Sequence, residues 1–119
     1  MVPIFEKITI IGMGLIGWSM ALATRRAELA TFICGCDAGP DIGERVTKLA
    51  LVDKFEVDTG RAVADADLVI MAVPVGAMAE LSAKIVPYMK EGAILSDTGS
   101  TKRSVVRDVC PHVSDAIYW

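Results

Sequence analysis

Residues 7–22 read KITIIGMGLIGWSMAL, and this stretch decides the fold. Lys7 to Ile11 is rich in β-branched side chains and is closed by a glycine, the pattern of a strand. From Leu15 to about Glu28 good helix formers follow without a proline, the pattern of a helix. Between the two lies Gly12-Met13-Gly14-Leu15-Ile16-Gly17. Three glycines at GxGxxG spacing carry little weight alone. Set between a strand and a helix, they spell a phosphate-binding turn for a dinucleotide. Gly12 permits the tight turn, Gly14 lets the backbone approach a pyrophosphate, and Gly17 lets the helix pack close to the strand. The free N–H groups at the helix start then face the phosphates. The competing reading is an ordinary strand-to-helix turn with chance glycines, which this context disfavours.

Outward from this unit, strand-like and helix-like blocks alternate. Thr31–Cys36 is the second strand, and a turn with Gly39 and Pro40 follows. Asp41 is the expected N-cap of a helix running to about Ala50. A short third strand is expected around Lys54–Val57 and a short helix over Arg61–Ala66. Leu68–Val73, LVIMAV, is apolar throughout, as a central parallel strand should be. A helix from Val75 or Gly76 to about Met89, a strand over Ala93–Ser96 and a helix from Thr101 to about Val109 complete the alternation. Pro111 stops that last helix, and Ala116–Trp119 reads as the opening of another strand. Strands alternating with helices imply an α/β fold of Rossmann type: a doubly wound parallel sheet with helices on both faces. The apolar end of the chain reads as a cut inside a longer sequence.

Length and composition agree. The 119 residues suffice for one domain, here a dinucleotide-binding domain over 1–119. An enzyme that binds both cofactor and substrate on two domains usually needs about 250 residues or more. Hydrophobic residues make up 53% and charged residues 23%, too apolar for a disordered chain. Twelve basic against 15 acidic residues give a net charge of −3, which disfavours nucleic acid and anionic membrane as partners. The longest uncharged apolar run, Leu68–Ala79, is too short to span a bilayer, and the N-terminus lacks the layout of a signal peptide. A cytoplasmic location is expected. The three cysteines, Cys34, Cys36 and Cys110, fit a reducing compartment and read as small buried apolar residues. With one histidine in the chain, no metal site is expected.

Three further segments carry chemistry. Asp37 ends the second strand, 20 residues past Gly17. A carboxylate there accepts hydrogen bonds from the adenosine ribose and repels a 2′-phosphate. Ala38 and Gly39 follow, with no Arg or Lys close by in the chain, so NAD is favoured over NADP. Val73-Pro74-Val75-Gly76 follows the central strand, where ligands of open α/β sheets bind. Pro74 either stops the strand or holds the chain extended beside a nicotinamide. Asp97-Thr98-Gly99-Ser100-Thr101-Lys102 follows the next strand at the same edge. Ser100 there is an N-cap or a substrate-side hydroxyl, and by itself the cap reading is preferred.

Together GLIGWSMA at 14–21, the lone Asp37, ADADLVIMAVPVGA at 64–77 and GAILSDTGSTK at 92–102 resemble the N-terminal domain of the prephenate/arogenate dehydrogenase family. The resemblance covers nearly the whole chain and implies that a helical C-terminal dimerisation and substrate domain is absent from it. It implies oxidation of prephenate or arogenate with NAD(P) in tyrosine biosynthesis, with hydride leaving the hydroxyl-bearing ring carbon and the ring carboxylate lost as CO₂. The candidate cofactor residues are Gly12, Met13, Gly14, Leu15, Ile16, Gly17, Asp37, Val73, Pro74 and Thr98. The candidate catalytic residue is Ser100, which the family pattern puts beside the substrate hydroxyl and a catalytic histidine. Two departures matter. Trp18 stands where the family commonly has glycine, either as packing or as a partner contact. The family's histidine belongs to a His-Pro segment, and His112, between Pro111 and Val113, does not match it and reads as a surface residue. The expectation is therefore NAD binding by this chain without turnover, with homodimerisation or other self-association through uncovered edges and faces. The alternatives are a free-standing dinucleotide-binding or sensing module, or another NAD-dependent reductase of small acids or imines.

Overall fold

The computed structural model describes residues 4–98, 109–112, 117 and 119. The elements run β1 (Phe5–Ile11), α1 (Leu15–Arg26), β2 (Ala30–Cys36), α2 (Pro40–Lys48), β3 (Lys54–Glu56), α3 (Thr59–Val63), β4 (Leu68–Met71), α4 (Met78–Ile85) and β5 (Ile94–Asp97). The strands form one five-stranded parallel sheet in the order β3-β2-β1-β4-β5. The chain winds outward from β1 through β2 to β3, then crosses to β4 on the other side of β1. The order therefore reverses between β1 and β4, and the crevice of such a sheet lies beyond the carboxyl ends of those two strands.

The register follows the apolar pattern. Ile8 and Ile10 of β1 stand beside Ile33 and Gly35 of β2 and beside Leu68 and Ile70 of β4. Their side chains are buried with Ala21 of α1, and Ile42 of α2 packs on the same cluster. The alternate residues Ile11, Cys34, Cys36, Val69 and Met71 belong to a second cluster with Val63 of α3 and Met78, Leu81 and Ile85 of α4. Successive strand residues face opposite sides, so two cores mean helices on both faces. Val109 and Ile117 are buried in the second core.

Most boundaries shift for visible reasons. β1 begins two residues before Lys7, because Phe5 N–H donates to Leu29 O at 2.9 Å and Glu6 N–H donates to the Asp67 carboxylate at 2.7 Å. α1 stops at Arg26, short of Glu28, whose φ of 52° lies in the left-handed region that a helix cannot continue through. Asp41 is not the N-cap of α2; Gly39 is, and Pro40 takes the first turn. A proline there leaves no amide unpaired, and Asp41 sits in the first turn where the helix dipole favours a carboxylate. α3 runs over Thr59–Val63 because Asp58 caps it, accepting from Gly60 N–H at 2.9 Å.

The single helix expected from 75 to 89 is instead a 3₁₀ turn (Val75–Ala77), α4, and a second 3₁₀ turn (Val86–Tyr88). Pro87 has no N–H to extend the ladder. The helix expected over 101–109 lies outside the described residues except for Val109. Cys110–His112 form a 3₁₀ turn. Ala116 also lies outside them, and neither Ile117 nor Trp119 belongs to a strand. Cys34 and Cys36 are buried as expected, whereas Cys110 is exposed. Among the described residues no helix is long and apolar enough to cross a membrane.

Candidate functional site

The β1–α1 connection is where sequence and geometry meet. Gly12 has φ +95°, and a Cβ there would run into Ala72 O. Only glycine meets both conditions at once. A Cβ at Gly17 would fall on Gly12 O, so this glycine lets α1 start directly against its own loop. Gly14 differs: nothing among the described residues lies within 4 Å of a Cβ placed there, so none of them explains that glycine. An open flank of bare backbone is what a pyrophosphate requires.

Gly14 is also the N-cap of α1 and brings no side chain to the helix end. The first helical bond is Trp18 N–H to Gly14 O at 2.9 Å. The amides of Leu15, Ile16 and Gly17 precede that ladder, with the positive end of the helix dipole behind them. Such an end suits an anion.

Asp37 fastens this loop. Its Oδ2 accepts from Met13 N–H at 2.8 Å and its Oδ1 from Gly39 N–H at 3.0 Å. Gly12 N–H donates to Cys36 O at 2.7 Å, and Ala72 N–H donates to Ile11 O at 2.8 Å. The carboxyl ends of β1, β2 and β4 are thereby laced around the glycine turn. A carboxylate has about four acceptor positions, so two bonds leave Asp37 capacity for a ligand hydroxyl.

Two clefts open along this edge. The first, of about 360 Å³, has Gly12, Asp37 and Ala38 on one side and Val57, Ala77 and Leu81 on the other. The second, of about 480 Å³, is lined by Gly14, Leu15, Ile16, Pro74, Val75 and Thr98. Val73 lines both. The clefts therefore adjoin at Val73, the first taking Gly12 and the second Gly14 of the glycine turn.

Most of the residues expected from sequence are brought together here. Gly12 and Asp37 line the first cleft, and Gly14, Leu15, Ile16, Pro74 and Thr98 line the second. Leu15 is 83% exposed, an unusual state for a leucine. Thr98 N–H donates to Met71 O at 3.2 Å, holding that end of β5 beside β4. Two expected residues line neither cleft. The Met13 side chain is buried in the α1-side core and its amide is taken by Asp37; Gly17 is buried in the first turn of α1. Their part is to shape the turn. Ser100 lies outside the described residues. Trp18 packs against the α1-side core, and its indole N–H is buried without a hydrogen-bond partner among the described residues. His112 is exposed, as read from sequence.

Sequence reasoning missed the far wall of the first cleft: Val57, Thr59, Ala77, Glu80, Leu81 and Lys84. It also found no cation close to Asp37. None is close along the chain, but α4 brings Lys84 to the same cleft. Cys36 lines the cleft too. Burial, reinforced by Cys34 and the acidic Asp37, Glu56 and Asp58, pushes its thiol up to about 12. Burial likewise raises Cys34. Both stay protonated at neutral pH and are poor nucleophiles.

Comparison with known proteins points one way. Residues 20–118 match the family model described as prephenate dehydrogenase, nucleotide-binding domain. A cyclohexadienyl dehydrogenase of Zymomonas mobilis is 39% identical over 104 residues, covering 87% of this chain and 36% of that protein. A prephenate dehydrogenase of Lactococcus lactis is 35% identical over 102 residues, covering 85% of this chain and 28% of that protein. The chain thus spans about a third of the length of the curated relatives it matches. In fold it is similar to the crystal structure of a prephenate dehydrogenase from A. aeolicus in complex with hydroxyphenyl propionate and NAD+. That likeness has a TM-score of 0.84 at 24% identity and covers 94% of this chain and 40% of the other.

Proposed function

The chain belongs to the prephenate dehydrogenase nucleotide-binding domain family, and from that premise we propose that it is the NAD-binding part of an enzyme that oxidises prephenate or arogenate. The observation that carries this is the pair of clefts meeting at the glycine turn. Asp37 and the apolar wall of Val57, Ala77 and Leu81 suit an adenosine. The uncapped amides of α1 suit the pyrophosphate. The second cleft, with Pro74 and Thr98, suits the nicotinamide end. The relatives' names and the NAD+ bound to the A. aeolicus protein support the same reading.

When bound there, the dinucleotide supplies a hydride acceptor. The chain's own residues bind and orient it. Gly14 gives the phosphates room, and Asp37 accepts from the ribose hydroxyls. Val73, between the clefts, packs against the nicotinamide end. The overall reaction we propose for the whole enzyme removes hydride from the hydroxyl-bearing ring carbon, leaves a carbonyl-derived phenol, and releases the ring carboxylate as CO₂. Ser100 is our proposed substrate-side hydroxyl.

Cofactor choice follows from charge. A 2′-phosphate would stand against the Asp37 carboxylate, which its two amide donors hold in place. NAD is therefore preferred, although Lys84 lines the same cleft from α4. Calorimetric titration tests the assignment. NAD should bind, NADP should bind more weakly, and Asp37→Ala should weaken NAD by about tenfold or more. Unchanged affinity in Asp37→Ala would refute the site. These 119 residues should produce no NADH from prephenate, because a general acid–base group worth ~10²–10⁴-fold has no matching histidine among them. Turnover at ordinary enzymatic rates would overturn that part.

A further inference from the structure

The first cleft holds a feature that NAD binding by itself does not call for. α4 contributes Glu80, Leu81 and Lys84 to its wall, together with its N-cap residue Ala77. The spacing of three, one and three is a single stripe along one side of a helix. Its apolar members join Val57 in an apolar lining against which a flat heterocycle can lie. Apolar walls do not tell one base from another. The stripe's other two members are charged.

Glu80 and Lys84 stand four residues apart with the glutamate nearer the helix N-terminus, the arrangement that most favours a pairing along a helix. They nevertheless form no ion pair with each other, and neither makes any other ion pair or side-chain hydrogen bond among the described residues. Both side chains are exposed, and both line the cleft. An acceptor and a donor thus stand unengaged at the margin of a slot for a planar ring.

Resting on the cofactor reading above, we propose that Glu80 and Lys84 read the polar edge of the base and select a 6-aminopurine. The Glu80 carboxylate accepts from the exocyclic amine, and the Lys84 ammonium donates to N7, an acceptor that 6-amino- and 6-oxopurines share. A 6-oxopurine in the same place turns an oxygen toward the carboxylate, and the pairing becomes repulsive. The two residues are specificity determinants distant from the nicotinamide, and they take no part in hydride transfer.

The test compares NAD with nicotinamide hypoxanthine dinucleotide, which has a 6-oxo group and an N1–H where adenine has the 6-amino group and a bare N1. Both are titrated by calorimetry into the unmodified protein, Glu80→Gln and Lys84→Met. The exposure of both positions leaves folding undisturbed. The unmodified protein should bind NAD about tenfold more tightly than the analogue. Glu80→Gln should bring the two within about twofold, because a carboxamide offers the 6-oxo group a donor. Lys84→Met should weaken both. Equal binding of the two dinucleotides by the unmodified protein, or a preference that survives Glu80→Gln, would overturn the proposal while leaving NAD binding in place. Failure of NAD to bind at all would overturn the cofactor reading, and this proposal with it.

Discussion

At the scale of single residues, the glycine turn separates a structural role from a binding role. Gly17→Ala puts a methyl group on Gly12 O, in a place with no slack. The gain in helix propensity is about 1 kcal/mol, and overpacking of this kind costs about 1–3 kcal/mol, so the collision should win. Urea denaturation should show a lower midpoint with an unchanged slope. Gly14→Ala meets no atom of the described residues, and at an N-cap, where Ala ranks below Gly, the change costs about 1 kcal/mol. Its melting should fall less than that of Gly17→Ala while NAD affinity falls by about tenfold, because the methyl occupies the pyrophosphate's approach. If Gly14→Ala binds NAD normally, the phosphates do not pass over that loop. The three glycines and Asp37 were legible in the sequence because their roles depend on near neighbours in the chain. Glu80 and Lys84 were not, because only the path of α4 brings them to Asp37. Ala77, Glu80, Leu81 and Lys84 do lie at helical spacing, but the sequence does not say which way that stripe faces. Asp37 itself was read as a ribose acceptor, and its second task of holding Met13 N–H appears only in three dimensions.

At the scale of elements, strands were easier to place than helix ends. β2 and β4 are apolar runs that leave no second reading. Helix limits depend on caps and on single prolines, which is why Gly39 displaced Asp41 and why Pro87 divided the helix after β4. The start of β1 depends on a partner 60 residues away that no local pattern reveals. Asp67 precedes β4, and its carboxylate accepts from the amides of Glu6 and Lys7 and from Lys90 Nζ. One side chain thus ties the starts of β1 and β4 to the segment leading into β5. The Lys90 hydrogen bond, with the two amides assisting, holds the Asp67 carboxyl below the usual carboxylate range. A carboxyl lowered on folding stabilises the native state above its unfolded pKa of about 3.9 and loses that contribution as pH falls through its folded value. Thermal melts of the unmodified protein and Asp67→Asn should therefore differ at neutral pH and converge as pH drops below about 4. A gap that persists undiminished at low pH would show that the carboxylate charge is not what holds the three segments together.

At the scale of the whole molecule, the doubly wound order was legible because each strand–helix pair is local and the crossover hand is fixed by chirality. What the molecule leaves uncovered was legible only in outline. Self-association was expected from an unfinished strand at Ala116, and neither Ile117 nor Trp119 forms one. Trp119 is exposed, and other exposed apolar residues include Leu15 and Ile16 at the rim of the second cleft, 83% and 55% exposed, and Ile94 on β5, the outer strand among the described residues, 39% exposed. An outer strand offers unpaired backbone groups, and apolar side chains around it favour pairing over hydration. Light scattering across a concentration series should show association that rises with protein. Two variants assign it. Ile94→Lys should abolish association if β5 edges pair, because a charge on an edge strand is the usual block to such pairing. Leu15→Lys should abolish it if the cleft rims meet. In the second case NAD should compete with association, because Leu15 lines the cleft proposed for the nicotinamide end. A mass that stays at 12.7 kDa throughout would mean that these apolar residues are tolerated in water and that the rim of the cleft is open for cofactor alone.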